Sequence, residues 1–308
     1  MLSDRIPVRV IADYGADYLV DDSASTWRAA AKRCDPAVGD WVTLDGGFIT
    51  EVLPRRSVFS RRAPGVETRE QVLAANVDVA FVVATAIDVN VRRIERYLTI
   101  AWQSGATPVV VITKADLVEY VDEPELAAPV IVTSSVSGRG IEAIRARLEP
   151  RRTGVLLGPS GVGKSSLINQ LAGTDLMRTR DTHRSGEGRH MTSHRQLVQL
   201  PGGGMIIDTP GLREAQLWEG EDALAGVFED IETLALQCRF TDCSHETEPG
   251  CAIKAAIDAE SLDPERFRSY RKLQRELRAV AAKSDARLRA VDRKKWKQIA
   301  MAAKRARW

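Results

Sequence analysis

The apolar run Val155-Leu156-Leu157 passes directly into Gly158-Pro159-Ser160-Gly161-Val162-Gly163-Lys164-Ser165-Ser166, and this stretch constrains the chain more than any other. Gly158, Gly163, Lys164 and Ser165 match the phosphate-binding loop that joins a buried strand to a helix. The glycines let successive backbone N–H groups close around a β-phosphate. The Lys164 ammonium neutralises β and γ oxygens, and the Ser165 hydroxyl is a Mg²⁺ ligand. Leu167 to Leu171 begin the helix whose positive end faces the phosphates. Short Val- and Ile-rich runs at Val77 to Thr85, Pro108 to Ile112, Val130 to Thr133, Gly154 to Leu157 and Met205 to Ile207 read as strands buried on both faces. Ile94 to Trp102 and Ile141 to Leu148 read as helices between them, so the fold class here is α/β with a mostly parallel sheet.

Ligands of such sheets bind at the carboxyl ends of the strands, and further chemistry lies there. Met205-Ile206-Ile207 ends in Asp208-Thr209-Pro210-Gly211, where Asp208 is placed to hold Mg²⁺ through a water and the Gly211 N–H to touch a γ-phosphate. The polar, glycine-bearing Thr182 to His194 segment reads as a nucleotide-ordered loop rather than a histidine metal site, with Thr192 as a second Mg²⁺ ligand. Pro108 to Ile112 leads into Thr113-Lys114-Ala115-Asp116, which resembles the guanine-reading NKxD motif of GTPases. An aspartate there accepts from N1–H and the 2-amino group of guanine, which adenine does not offer, and the Lys114 stem covers the ring. Thr113 stands where the usual asparagine braces neighbouring loops. After Thr133, the loop Ser134-Ser135-Val136-Ser137-Gly138 is placed like the one whose backbone touches guanine O6, with Ser135 where alanine is commoner. Both base-reading segments precede the phosphate loop, so the nucleotide domain is circularly permuted. The chain therefore leaves Asp208 to Gly211 and passes straight toward its C-terminal part.

The flanks differ in character. Residues 1 to about 60 hold β-like runs at Val8 to Ile11, Trp41 to Leu44 and Phe48 to Val52, separated by turn residues, as in a small β-barrel of oligonucleotide-binding (OB) or SH3-like type. Nucleic-acid contact is expected of it, from a cluster of Arg55, Arg56, Arg61 and Arg62 rather than net charge, since 9 basic and 9 acidic residues balance through Arg62. The polar Arg61 to Arg69 segment reads as a linker. Cys238, Cys243, His245 and Cys251 offer three thiolates and one imidazole within 14 residues, a closed tetrahedral set for one structural Zn²⁺ that would supply folding energy. Cys34 stands apart and reads as structural.

Asp263-Pro264-Glu265 opens an amphipathic helix carrying Phe267, Tyr270, Leu273, Leu277 and Val280. From Glu265 to Trp308 there are 16 Lys and Arg against 4 Asp and Glu, a local charge of +12 that leaves −10 on the rest of the chain. Such a field attracts polyanions. With 44% hydrophobic and 28% charged residues in 308, the chain is globular with two or three domains. No stretch of 18 residues is free of charge, so no membrane span is expected, and without a signal-like start the cytoplasm is the expected compartment.

With its permuted order, Gly188-Arg189-His190-Met191-Thr192-Ser193-His194, Asp208-Thr209-Pro210-Gly211-Leu212-Arg213-Glu214 and the Cys/His cluster, the chain resembles the ribosome small-subunit-dependent GTPase A family (RsgA, also called YjeQ) over nearly its whole length. The resemblance implies an OB-fold barrel over 1–66, a circularly permuted P-loop GTPase domain over 67–222, and a zinc-binding helical domain with a basic tail over 223–308. It implies hydrolysis of GTP to GDP and phosphate, stimulated by the small ribosomal subunit during its late maturation, with rRNA as partner, Mg²⁺ as cofactor and a monomeric, cytoplasmic protein. The alternative is an RNA-binding assembly placeholder with vestigial turnover. Met191 and Ser193 depart from the family's threonines, while Thr192 keeps one. Leu212 occupies the place where Ras-like enzymes carry the water-orienting glutamine. His190 is the candidate for that role.

Overall fold

The computed structural model describes residues 6–62, 70–149, 151–174, 195–208 and 222–284. The chain divides into two compact units, Met1–Gln216 and Leu217–Trp308.

The first unit begins with β1 (Val8–Asp13), β2 (Tyr18–Asp21), β3 (Thr26–Ala29), β4 (Trp41–Asp45) and β5 (Phe48–Val52). β1 pairs antiparallel with β2 and β4, β2 with β3, and β4 with β5. A parallel bridge between Ala31 and Ile49 closes the ring, with Lys32 N donating to Ile49 O at 2.8 Å and Ile49 N to Ala30 O at 2.9 Å. The strand order around the ring is therefore β1-β2-β3-β5-β4. Alternation puts Val8, Val10, Val20, Val42 and Ile49 inside it. β2 and β3 are too short and polar to announce themselves in the sequence.

β6 (Val58–Arg62) and β7 (Glu70–Ala75) form an antiparallel ribbon. Arg61 and Arg62, expected in a linker, are the last residues of β6. The remaining elements are β8 (Val79–Thr85), α1 (Val91–Ser104), β9 (Thr107–Thr113), β10 (Val130–Val132), α2 (Ile141–Leu148), β11 (Thr153–Leu157), α3 (Lys164–Ala172), β12 (Arg195–Gln199) and β13 (Met205–Asp208). All five expected runs are strands, and α2 begins and ends where the sequence places it. α1 extends beyond its expected ends because Asn90 caps it, its side chain accepting from Arg93 N at 3.0 Å, and Gly105 closes it at φ 88°.

The sheet order is β10-β9-β8-β11-β13-β12, parallel except for β12. Permutation thus leaves the spatial arrangement untouched: the carboxyl ends of β8, β9, β10, β11 and β13 share one edge. Phe81, Val83, Val109, Val111, Ile144, Leu148, Leu167 and Leu171 are buried together and fix the helices to the sheet. Each such side chain contributes about 1.5–3 kcal/mol on leaving water.

β1 also adds to β12, so the N-terminal ring and the parallel sheet are one hydrogen-bonded surface. Arg9 crosses their junction with 8% exposure, donating from Nη2 to Thr153 Oγ1 at 2.7 Å and lying over the Trp41 ring. Its Nε finds no hydrogen-bond partner among the described residues, and burial pushes its pKa down to about 10, against the pull of Asp78. The guanidinium therefore stays charged at neutral pH. Gly39 makes the closest approach at this junction. Its φ is +94°, and a Cβ there would lie 2.1 Å from Ala75 O and 3.1 Å from Ile207 Cδ1.

The second unit contains α4 (Asp222–Ala225), α5 (Glu229–Ala235), α6 (Ala252–Asp258) and α7 (Pro264–Ser284). Phe228 packs edge-on to Tyr270 at 5.5 Å, whose hydroxyl donates to Glu232 Oε1 at 2.9 Å. Arg266 pairs with Asp230 at 2.7 Å and covers the Phe228 ring. Tyr270, Leu273 and Leu277 are buried as the helical spacing predicts. Among the described residues no helix is long and apolar enough to cross a membrane.

Gly39→Ala should cost about 2 kcal/mol or more, because the junction must open to admit the methyl group and the left-handed backbone is strained. Urea denaturation of the full chain measures it; an unchanged midpoint would contradict this packing.

Candidate active site

The loop after β11 needs backbone conformations that side chains resist. Gly158 has φ +143°, and a Cβ there would sit 2.4 Å from Val83 O on β8. Gly161 and Gly163 are also left-handed, at 85° and 96°. Lys164 and Ser165 open α3, and Leu167 N already donates to Gly163 O at 2.9 Å, so the free N–H groups of the first turn face the loop. Lys164 Nζ reaches Gly158 O at 2.8 Å and Pro159 O at 2.5 Å, which keeps the ammonium over the loop. Ser160 and Ser165 are exposed, Ser166 half-buried and Val162 buried.

The segment after β9 is tied to that loop. Thr113 Oγ1 lies 2.5 Å from Val162 O and 3.0 Å from Ala84 O, and its single proton serves one carbonyl at a time. The hydroxyl thus braces the loop, which the loss of the usual asparagine had left unassigned. Lys114 adopts the left-handed conformation at φ 59°, and its Nζ donates to Gly161 O at 2.8 Å. Asp116 is exposed, and Ser134 Oγ donates to its Oδ1 at 2.5 Å while accepting from Val136 N and Ser137 N. One carboxylate oxygen is thereby held and the carboxylate is aimed.

Sequence reasoning missed Gln170, whose Nε2 donates to Ser135 O at 2.7 Å, and Arg145, whose Nη2 holds the α3 carbonyls of Gln170 and Leu171. No local signal marks either residue. Ser135, Val136, Ser166, Asn169 and Gln170 line a cavity of about 480 Å³, the size range of small-ligand sites.

Asp208 ends β13, where Ile207 lies opposite Val155 of β11, so it stands at the same edge as the loop. Thr192, His190 and Gly211 lie outside the described residues. In the second unit the ligand atoms of Cys238, Cys243, His245 and Cys251 all lie within 4.8 Å of one another. His245 Nδ1 is 3.5 Å from both Cys238 and Cys251 Sγ. Bonds of about 2.3 Å to sulfur and 2.0 Å to nitrogen give ligand separations of this size around a tetrahedral ion, so the set fits Zn²⁺. Burial, helped by Arg271, lowers the His245 pKa and keeps the imidazole neutral, as a ligand must be. Burial opposes ionisation of Cys238, but the amides of Ala252 and Ile253 and the neighbouring thiols outweigh it and hold its pKa below the usual thiol value.

A glycine-formed loop on a lysine-started helix, the Thr113 to Asp116 and Ser134 to Gly138 segments tied together earlier in the chain, and an aspartate at the neighbouring strand end define a circularly permuted P-loop GTPase. A family model described as RsgA GTPase matches residues 52–218, and one described as 50S ribosome-binding GTPase matches 153–306. The chain belongs to the RsgA GTPase family. It is 48% identical over 294 residues to the small ribosomal subunit biogenesis GTPase RsgA of Streptomyces avermitilis, covering 88% of this chain and 79% of that one. The protein of the same name from Opitutus terrae is 47% identical over 295 residues, covering 88% and 80%. Among solved structures, YjeQ from Thermotoga maritima superposes with a TM-score of 0.64 at 27% identity, over 88% of this chain and 98% of that one. YloQ, described as a circularly permuted GTPase, shares the fold with a TM-score of 0.59 at 22% identity, over 89% and 95%.

Thr113→Val keeps the shape and deletes the brace, leaving Val162 O without this donor. GDP release should speed up by roughly fivefold to thirtyfold, as loss of about 1–2 kcal/mol implies. Stopped-flow release of a fluorescent GDP analogue measures it; release at the wild-type rate would mean that the hydroxyl does not hold the loop.

Proposed function

We propose that this protein hydrolyses GTP to GDP and phosphate on the small ribosomal subunit during its late maturation, stimulated by the subunit. The observation that carries the reading is the double tie from Thr113 and Lys114 to Val162 O and Gly161 O, which makes base-reading segment and phosphate loop one site. Subunit maturation is the role named for relatives 48% and 47% identical.

In this reading Asp116 accepts from guanine, the Lys114 stem covers the ring, and the loop Ser134 to Gly138 meets O6. Gly158 to Ser166 wrap the phosphates, and Lys164 neutralises charge that grows between the β and γ groups. Ser165, Thr192 and Asp208 would hold Mg²⁺, which supplies further charge neutralisation at the phosphates. A water attacks the γ-phosphorus, the bond to the β-bridging oxygen breaks, and GDP leaves with that oxygen. Gly211 N–H reports the γ-phosphate, and His190 orients the water in place of the missing glutamine. With Leu212 at the glutamine's position, unassisted turnover is slow.

The ring order β1-β2-β3-β5-β4 supports an OB-fold as the rRNA-binding part, with domains at 1–66, 67–222 and 223–308. The Cys238, Cys243, His245 and Cys251 set would hold a structural Zn²⁺ that fixes the segment before α6. The protein works as a monomer in the cytoplasm, where subunits mature. A vestigial placeholder is not favoured, because Lys164, Ser165 and Asp208 are all kept at one sheet edge.

The test is GTP turnover with and without purified small subunits, for wild type and Lys164→Ala, with ATP as control. Wild type should be strongly stimulated with GTP alone, and Lys164→Ala should lose at least about 100-fold in rate. Flat turnover on a bound subunit would overturn the reading.

A further inference from the structure

β1 reaches the nucleotide edge of the sheet. It pairs with β12 through Ala12 opposite Gln196 and Asp13 opposite Arg195, and β12 pairs with β13 through Gln196 opposite Asp208. Ala12, Gln196 and Asp208 therefore form one row across three strands. At about 4.8 Å per strand, the end of β1 lies roughly 10 Å from the Asp208 backbone.

A single carboxylate joins this row to the outside of the N-terminal ring. Asp13 Oδ1 accepts from Gly15 N at 2.8 Å, which shapes the turn into β2, while Oδ2 faces Arg195 Nη1 at 3.4 Å. The same Nη1 lies 3.4 Å from Val72 O on β7. The two side chains are only 17% and 19% exposed, so water screens the pair weakly. Burial lowers the Arg195 pKa, and the nearby Asp13 carboxylate opposes that shift. The far end of β1 is fixed by Arg9 on Thr153. β1 is thus held at both ends, with a register irregularity between Val10 and Ala12, and its pairing connects the turn at 14–17 to β12 and from there to β13. The turn is itself stiffened from outside, with Arg28 stacked 4.4 Å over Tyr14 and paired with Asp17.

We propose that Asp13 and Arg195 are a positioning pair that carries the placement of the N-terminal ring, set by its partner surface, to the strand end bearing Asp208, and so supports partner-stimulated hydrolysis. The inference rests on the reading that the small subunit stimulates turnover. Neither residue touches nucleotide; both act through strand register.

The test uses the full chain: wild type, Asp13→Asn, Arg195→Gln and the charge swap Asp13→Arg with Arg195→Asp. GDP affinity, co-sedimentation with the small subunit, thermal midpoint and single-turnover GTP hydrolysis on saturating subunit are measured for each. Each single variant should lose about tenfold of the stimulated rate, keep GDP and subunit affinity within about twofold, and keep its unstimulated rate; the swap, which restores opposite charges but not the Gly15 and Val72 contacts, should recover part of the loss. Asp13→Asn retains the Gly15 acceptor, and Arg195→Gln breaks the pair from the other strand, so a folding defect confined to one leaves the other decisive. Stimulation equal to wild type, or loss in step with subunit binding, overturns the proposal. An unstimulated wild type overturns the functional reading and this inference together, a different result from variants that match a stimulated wild type.

Discussion

The phosphate loop cannot hold its own shape, and the structure is arranged around holding it. Three of its glycines take left-handed backbone that an isolated chain would not keep, and the carbonyls of Gly158, Pro159, Gly161 and Val162 accept from side chains. The restraint comes from two neighbouring strands. β8 presses Val83 O against Gly158 where any side chain would collide, and the end of β9 delivers Thr113 and Lys114 to the carbonyls of Val162 and Gly161. Strain of about 1 kcal/mol per left-handed side-chain residue, as at Lys114, persists only where surroundings over-determine it. Here the lysine's own hydrogen bond to the loop is the determinant.

That dependence explains why permutation is tolerated. What the loop requires is spatial adjacency of β8, β9 and β11 with carboxyl ends aligned, and parallel pairing supplies it whatever the order along the chain. The opposite flank of the parallel sheet is β12, and β1 pairs with it. At Arg195 and Gln196, an edge that would otherwise expose unpaired backbone groups is thereby covered. The covering strand belongs to the N-terminal ring, so the same pairing that protects the edge joins the ring to the strand bearing Asp208.

The parallel core was legible because β8, β9 and β11 are buried on both faces and so read as continuous Val and Ile runs. The phosphate loop and the Cys/His cluster were legible because their chemistry is local in sequence. β2, β3 and β12 were not, since Tyr18-Leu19-Val20-Asp21, Thr26-Trp27-Arg28-Ala29 and Arg195-Gln196-Leu197-Val198-Gln199 interleave polar and apolar residues over too few positions to show a period. Gln170 on Ser135 and Arg195 on Asp13 were invisible for another reason. Each is a pairing across the fold, the latter between residues 182 apart, and nothing in either residue's neighbours encodes its partner. Thr113 lay between these cases: the position was read, but the substitute's bond to Val162 became visible only with the loop in place.

The central claim is that the segments after β9 and β10 and the phosphate loop after β11 make one guanine-nucleotide site. Calorimetric titration of the full chain with GDP and with ADP, in Mg²⁺, tests it most directly. The account predicts one site that binds GDP at least about 100-fold more tightly than ADP, since adenine leaves the Asp116 carboxylate without its donors. Equal affinities would contradict it, because phosphate binding would then proceed without the base-reading segment.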